Sequence, residues 1–266
     1  MTSATVSTPV QQPALWRKIA FYVPVVLFVA LLVVFTGVFI PALPYIFIGW
    51  ATPASEFVHH VHEFLSSIFF WSLLVGVGVQ LYRPLTKAAP ILQVVSATSL
   101  LVIVALLTNS FFPPLAIFLA LGLLVFAFHP LGIKGLFARE GGVHLPLLAL
   151  TLIALVPALL YAADHIGLQA MQMPGDEHGE FFHWGSSATI ALCGVAFALL
   201  AALRFSGWKI TAWSAGAIGL ILGLTGILFP SQASSVGPVW GVLTLIWGAA
   251  VIAAAHFLAP SLKRSA

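Results

Sequence analysis

Glu56, His59, His60 and Glu63 stand at i, i+3, i+4 and i+7 within one short segment. On a continuous helix that spacing gathers two carboxylates and two imidazoles on one face. Asp176, Glu180 and His183 repeat the pattern at i, i+4 and i+7, with Glu177 and His178 between them. Imidazole and carboxylate on successive helical turns are how helix bundles build metal sites from facing side chains. The candidate ligand set is therefore Glu56, His59, His60, Glu63, Asp176, His178, Glu180 and His183. Nitrogen and oxygen donors suit zinc, iron, nickel or cobalt, and the thioethers of nearby Met171 and Met173 keep copper open.

With His62, His165 and Asp164 added, these two regions hold six of the nine histidines and six of the seven carboxylates. The plainer expectation is a hydrated polar rim. That expectation does not explain why scarce charges are confined to two matching segments. His129, His144 and His256 fall at helix ends, where an imidazole can satisfy orphan backbone groups. Cys193, alone inside an apolar stretch, is expected to pack as a small hydrophobe.

The elements that must position these groups are membrane helices. Of 266 residues, 61% are hydrophobic and 6% charged, with mean hydropathy +1.10. A soluble domain carries about 25% charged residues, so a water-soluble globule, a disordered chain and a nucleic-acid-binding domain are excluded. Crossing a bilayer takes roughly 20 apolar residues. Eight stretches fit or nearly fit, at 20–48, 62–82, 91–108, 112–129, 144–163, 184–203, 211–229 and 237–258. Each should be a helix, since lipid supplies no hydrogen-bond partner to the backbone. The first is longer than a signal-peptide core and reads as an uncleaved span.

The ten Lys and Arg fall in five pairs: Arg17/Lys18, Arg83/Lys87, Lys134/Arg139, Arg204/Lys209 and Lys263/Arg264. Eight spans put all five on one side, which the positive-inside rule makes cytoplasmic, with both termini there. The expected location is an integral membrane protein of a bacterial inner membrane, its His/carboxylate clusters on the outer face. Trp71, Trp213, Trp240 and Trp247 lie deeper than the interfacial aromatics and are expected to pack. Gly76/Gly78, Gly216/Gly219/Gly223 and Gly237/Gly241 point to close helix contacts.

A shift of 121–127 residues lays the second half on the first. Glu56-Phe57-Val58-His59 meets Glu180-Phe181-Phe182-His183, Arg83 meets Arg204, and His129 roughly meets His256. Fixed-period similarity of this kind marks duplication. Four spans per unit is an even number, so the repeats are parallel, related by a pseudo-twofold along the membrane normal. The expected division is a leader at 1–18, a first four-helix repeat at 19–135, a second at 136–260 and a tail at 261–266.

Eight spans in two halves of four, with Glu-x-x-His opening the second and sixth, resemble the haem A synthase family. The resemblance implies that His59 and His183 ligate haem near the outer face, with Glu56 just ahead of the first. His129 and His256 could similarly hold a haem near the inner face. The family's following Arg is replaced by His60, and spans four and eight carry no outer histidine. Three functions follow: uptake or handling of a divalent transition metal, a haem-binding redox protein, or a non-catalytic subunit of a larger membrane complex. An inward metal path would rest on Ser66, Ser67, Thr98, Ser99, Ser186, Ser187 and Thr189. No nucleotide-binding or hydrolase motif is present.

Overall fold

A computed structural model describes residues 15–39, 42–53 and 57–258. Among them the chain is helical, with a single isolated bridge between Arg139 and Phe205 as its only extended pairing. Helix α1 (Leu15–Val34) continues through a π-helical turn (Phe35–Phe39) and is followed by a short α2 (Ala42–Ile48). The main helices after it are α3 (His60–Gly78), α4 (Ala88–Leu107), α5 (Pro113–Ala127), α7 (Leu145–Met171), α9 (His183–Ala202), α10 (Trp208–Leu228) and α11 (Gly237–Phe257). The short α6 (Gly132–Leu136) and α8 (Glu177–Glu180) lie in connections.

Two spans depart from expectation. The stretch 20–48 is not one helix: the π-helical turn ends at Phe39 and α2 starts at Ala42, with Pro44, which has no N–H to bond back to a preceding turn, in its first turn. Instead α2 lies beside α3, with Trp71 Nε1 donating to the Leu43 carbonyl (2.9 Å) and the Ile46 N–H to Ser67 Oγ (3.2 Å). Among the described residues, seven helices are long and apolar enough to cross a membrane. The stretch expected at 112–129 forms a 15-residue helix, about 22 Å long at 1.5 Å per residue.

The connections sort into two ends. At one, the Ala89 N–H donates to the Ser206 carbonyl, Glu140 to Arg204 and His144 to Ala202, each at 2.8 Å. Gln80 Oε1 and His129 Nε2 meet there at 3.2 Å. This end carries Arg83, Lys87, Lys134, Arg139, Arg204 and Lys209. At the other end, Gln172 Nε2 donates to the Thr108 carbonyl (2.9 Å), Gln169 Nε2 to Ser110 Oγ (3.1 Å), and Gln232 Nε2 to the Phe57 carbonyl (2.9 Å). Helix α5 therefore leaves the second end near Ser110 and reaches the first at His129, the same course its longer neighbours take.

Helices α3, α4, α9 and α10 form the centre, α3 packing on α10 and α4 on α9. Phe64, Leu73, Ile91, Ile190, Phe197 and Ile218 fill the space between them. Helices α7 and α11 flank this centre and turn Ile153, Leu160, Val239 and Ile246 outward, an apolar surface that needs a bilayer to cover it. Trp213 on α10 and Trp240 on α11, expected in the packed interior, are each more than half exposed. A glycine seam joins α10 and α11: a Cβ on Gly223 would lie 2.5 Å from the Leu245 nitrogen and 2.6 Å from the Gly241 carbonyl oxygen. Only the smallest side chain permits so close a backbone approach. Left-handed non-glycine residues occur in the connections after α3 (Arg83, φ 52°), α4 (Asn109, φ 52°), α9 (Arg204, φ 56°) and α10 (Ser234, φ 62°).

Candidate metal centre

The carboxylates and imidazoles of these two segments are not carried on continuous helices. Helix α3 begins at His60, so His59 precedes it as the capping residue (φ −108°, ψ 14°). His59 therefore leaves the face that spacing alone gave it. Glu56 and Ser55 lie outside the described residues. In the second half, α8 ends at Glu180 and Phe182 adopts a left-handed conformation (φ 60°) before α9 starts at His183. The break re-aims His183 away from Asp176 and Glu180. Gly185 makes the break possible, since a Cβ there would collide with the Phe182 ring.

What these breaks bring together is a knot of four imidazoles, from His59, His62, His178 and His183. Their six ring-centre separations are 4.7 Å (59–178), 5.0 Å (59–183), 6.2 Å (59–62), 4.9 Å (62–178), 4.7 Å (62–183) and 5.9 Å (178–183). Four imidazoles around one ion, each nitrogen about 2.0–2.1 Å from it in tetrahedral array, would put ring centres about 5 Å apart. The observed separations bracket that value.

Each ring also has one buried nitrogen with no hydrogen-bond partner: His59 Nδ1, His62 Nε2, His178 Nε2 and His183 Nδ1. On three rings the other nitrogen is engaged. His178 Nδ1 lies 3.3 Å from Asp176 Oδ1, His59 Nε2 lies 3.4 Å from Glu177 Oε2, and His62 Nδ1 lies 3.2 Å from Ser187 Oγ. A carboxylate on one nitrogen, as for His59 and His178, fixes the tautomer and leaves the other nitrogen as a lone-pair donor, the arrangement found behind metal-bound histidines. The Ser187 hydroxyl, which can donate or accept, is compatible with the same tautomer of His62. Asp176 is itself anchored. Its Oδ2 accepts from Trp184 Nε1 (2.9 Å) and its Oδ1 from the His178 N–H (3.1 Å), and the indole N–H above all holds its carboxyl below the usual range. As the side chains stand, no three His, Cys, Asp or Glu groups among the described residues have donor atoms already in ligating positions. His62 and His183 are stacked at 18°, so an ion would have to turn rings that are otherwise in place.

Of the expected ligands, His59, His178 and His183 join the knot, and Asp176 supports it. His60 does not. It is fully buried, its Nδ1 meets the Tyr45 hydroxyl at 2.6 Å, and its ring lies flat on Phe229 at 4.5 Å. Helical geometry is the reason, since His60 and His62, two residues apart on α3, point about 200° apart. Glu63 is half-buried one turn beyond His59, and Glu180 is exposed. Spacing underweighted His62, which is three residues after His59 and directed inward by α3. It also missed Glu177 and Ser187 as partners.

The remaining histidines are occupied or remote. His165 Nδ1 donates to the Tyr161 carbonyl (2.9 Å), and its Nε2 accepts from the Ser234 hydroxyl (2.9 Å). His129 at the basic end engages Gln80 through Nε2 and accepts the Leu131 N–H at Nδ1 (3.2 Å); burial pushes its pKa down to about 4. His256 is exposed on α11. No family model, curated protein or solved structure matches the chain. The likeness to haem A synthases thus rests on the two Glu-x-x-His segments and the span count.

Proposed function

We propose that this membrane protein binds one divalent transition metal ion at the end opposite its basic connections, and that it serves metal handling or uptake. His59, His62, His178 and His183 would be the ligands, with Asp176, Glu177 and Ser187 orienting them. The observation that carries this reading is the set of four unpartnered, buried imidazole nitrogens, one on each ring of a single knot. Leaving four such groups unsatisfied is costly, and one ion would satisfy all of them. An all-imidazole set suits zinc, copper or nickel better than the hard cations.

Eight crossings fit this reading, α5 being the short one, because they keep every basic connection on one side and the knot on the other. The positive-inside rule then places the termini in the cytoplasm and the metal outside. Two parallel repeats would explain why His59 and His183, equivalent by sequence, meet beside the junction of the halves. They would also explain the matched left-handed residues Arg83/Arg204 and Asn109/Ser234. Handling at the outer face is favoured over permeation, because Ser67, Thr98, Ser186 and Thr189 bond to helix carbonyls rather than lining a path.

Haem is the second reading, carried by the His59/His183 pair. It is disfavoured because His62 and His178 crowd the same gap, where a flat macrocycle would have to lie, and because both nitrogens of His129 are engaged. Elemental analysis of detergent-purified protein after incubation with zinc or copper tests the proposal. One ion per chain is expected; after dialysis to free metal about tenfold above the wild-type Kd, His59→Ala and His183→Ala, each weakened by about two decades, should retain about a tenth of it. A dithionite-reduced minus oxidised spectrum with a Soret shift, and no bound ion, would favour haem instead.

A further inference from the structure

A second unsatisfied site lies at the basic end. Arg204, in the turn after α9, is 7% exposed, and its Nε is buried without a partner. Among the described residues every ion pair involves a histidine, so no carboxylate neutralises this guanidinium. Arg204 is fixed in place. Its carbonyl accepts the Glu140 N–H at 2.8 Å, its backbone is left-handed, and its guanidinium carbon lies 5.6 Å from the centre of the Trp208 ring. Gly141 closes over it, and a Cβ at that position would come within 2.9 Å of Nη1.

His144 packs on the same indole, with ring centres 5.4 Å apart, and is 2% exposed. Its Nδ1 accepts the Leu147 N–H at 3.4 Å, so its proton sits on Nε2, which is buried without a partner. The Leu258 carbonyl approaches this ring without the alignment that would satisfy it. Two buried N–H donors of a positive cradle therefore lack an acceptor. Lys209, whose Nζ lies 5.7 Å from the Trp208 ring, adds a further positive charge. The counterpart in the first half, Arg83, is exposed and lies over Tyr82, so the buried arrangement belongs to the second half alone.

We propose that Arg204, His144 and Gly141 form a cradle for a phosphate oxyanion at the basic face. A buried guanidinium with no counter-charge is strongly unfavourable, and its planar fork matches two phosphate oxygens at once. The position, at the membrane end where the basic residues gather, makes an anionic phospholipid headgroup one source and free phosphate the other. Gly141, lacking a Cβ, keeps its own side chain off the guanidinium.

The test measures thermal stability and lipid retention (native mass spectrometry) of the full chain in detergent. Phosphatidylglycerol is added in one arm, and inorganic phosphate against chloride at matched ionic strength in the other. Stabilisation by phosphatidylglycerol alone assigns the cradle to headgroups. Stabilisation by inorganic phosphate assigns it to soluble phosphate. Either response should weaken at least tenfold in apparent affinity in Arg204→Gln, with metal content unchanged. Should that variant fail to fold, Arg204→Lys keeps the charge but loses the fork and Nε, and the same weakening is expected. No response of the wild type to either probe, or an undiminished response in a folded Arg204 variant, overturns the proposal.

Discussion

Replacing His62 should separate the metal centre from its neighbourhood most sharply. Structural zinc sites with four ligands bind with about 10–16 kcal/mol, roughly 3 kcal/mol per ligand. Loss of one imidazole should therefore weaken binding by about two decades, at about 1.4 kcal/mol per decade. The stability readout follows by linkage. An ion present at about a thousand times its Kd stabilises the fold by about 4 kcal/mol, and at about ten times by about 1.4 kcal/mol. At one fixed metal concentration, His62→Ala should lose more than half of the metal-induced rise in stability. Without metal it should differ little, because the substitution also removes a buried unpartnered nitrogen. The control is His60→Gln, two residues earlier on the same helix, whose ring lies on Phe229 away from the knot. It should bind metal as the wild type does. The assay is isothermal titration with zinc together with thermal melts with and without the ion. Metal lost in folded His60→Gln and kept in His62→Ala would refute the reasoning.

Asp176→Asn should weaken metal binding 10–100-fold by loosening the tautomer and orientation of His178, measured by the same titration. In the glycine seam, Gly223→Ala must push α10 from α11 and should cost about 1–3 kcal/mol. Gly78→Ala, where a Cβ meets nothing within 4 Å, should be neutral or slightly stabilising; detergent melts distinguish the two. His129 binds its proton less readily in the fold, at about 4 against the ordinary 6.5. The folded state therefore holds fewer protons between those values. Stability should be flat above about pH 6.5 and fall toward pH 4 by at most about 3 kcal/mol. A His129→Gln variant should show a flatter melt-versus-pH profile over that window, and an unchanged slope would count against burial as the cause.

The helical membrane character was fully legible in composition, because apolar runs of this length have no other stable use. So was the segregation of titratable groups, and the structure gathers the two segments that spacing picked out. Which side chains meet was not legible. The i, i+3, i+4, i+7 pattern assumed helices running through Glu56–Glu63 and Asp176–His183, yet the chain starts α3 at His60 and breaks at Phe182. A capping residue and one left-handed φ moved His59 and His183 off the faces that period 3.6 gives them. They also replaced His60 by His62. Tertiary placement of helix ends depends on packing such as Phe182 against Gly185, which local spacing does not encode. Arg204 stands in the sequence as one of a basic pair with Lys209, and its burial follows from the folding of the 139–144 loop onto it, again a long-range contact.

The most direct test is X-ray absorption at the edge of whichever metal the purified protein retains. Four nitrogen scatterers at about 2.0–2.1 Å, with the outer-shell pattern of imidazole, are the result expected from His59, His62, His178 and His183. A shell of oxygen or sulfur alone, or a protein that retains no zinc, copper or nickel when they are supplied, would contradict the metal centre.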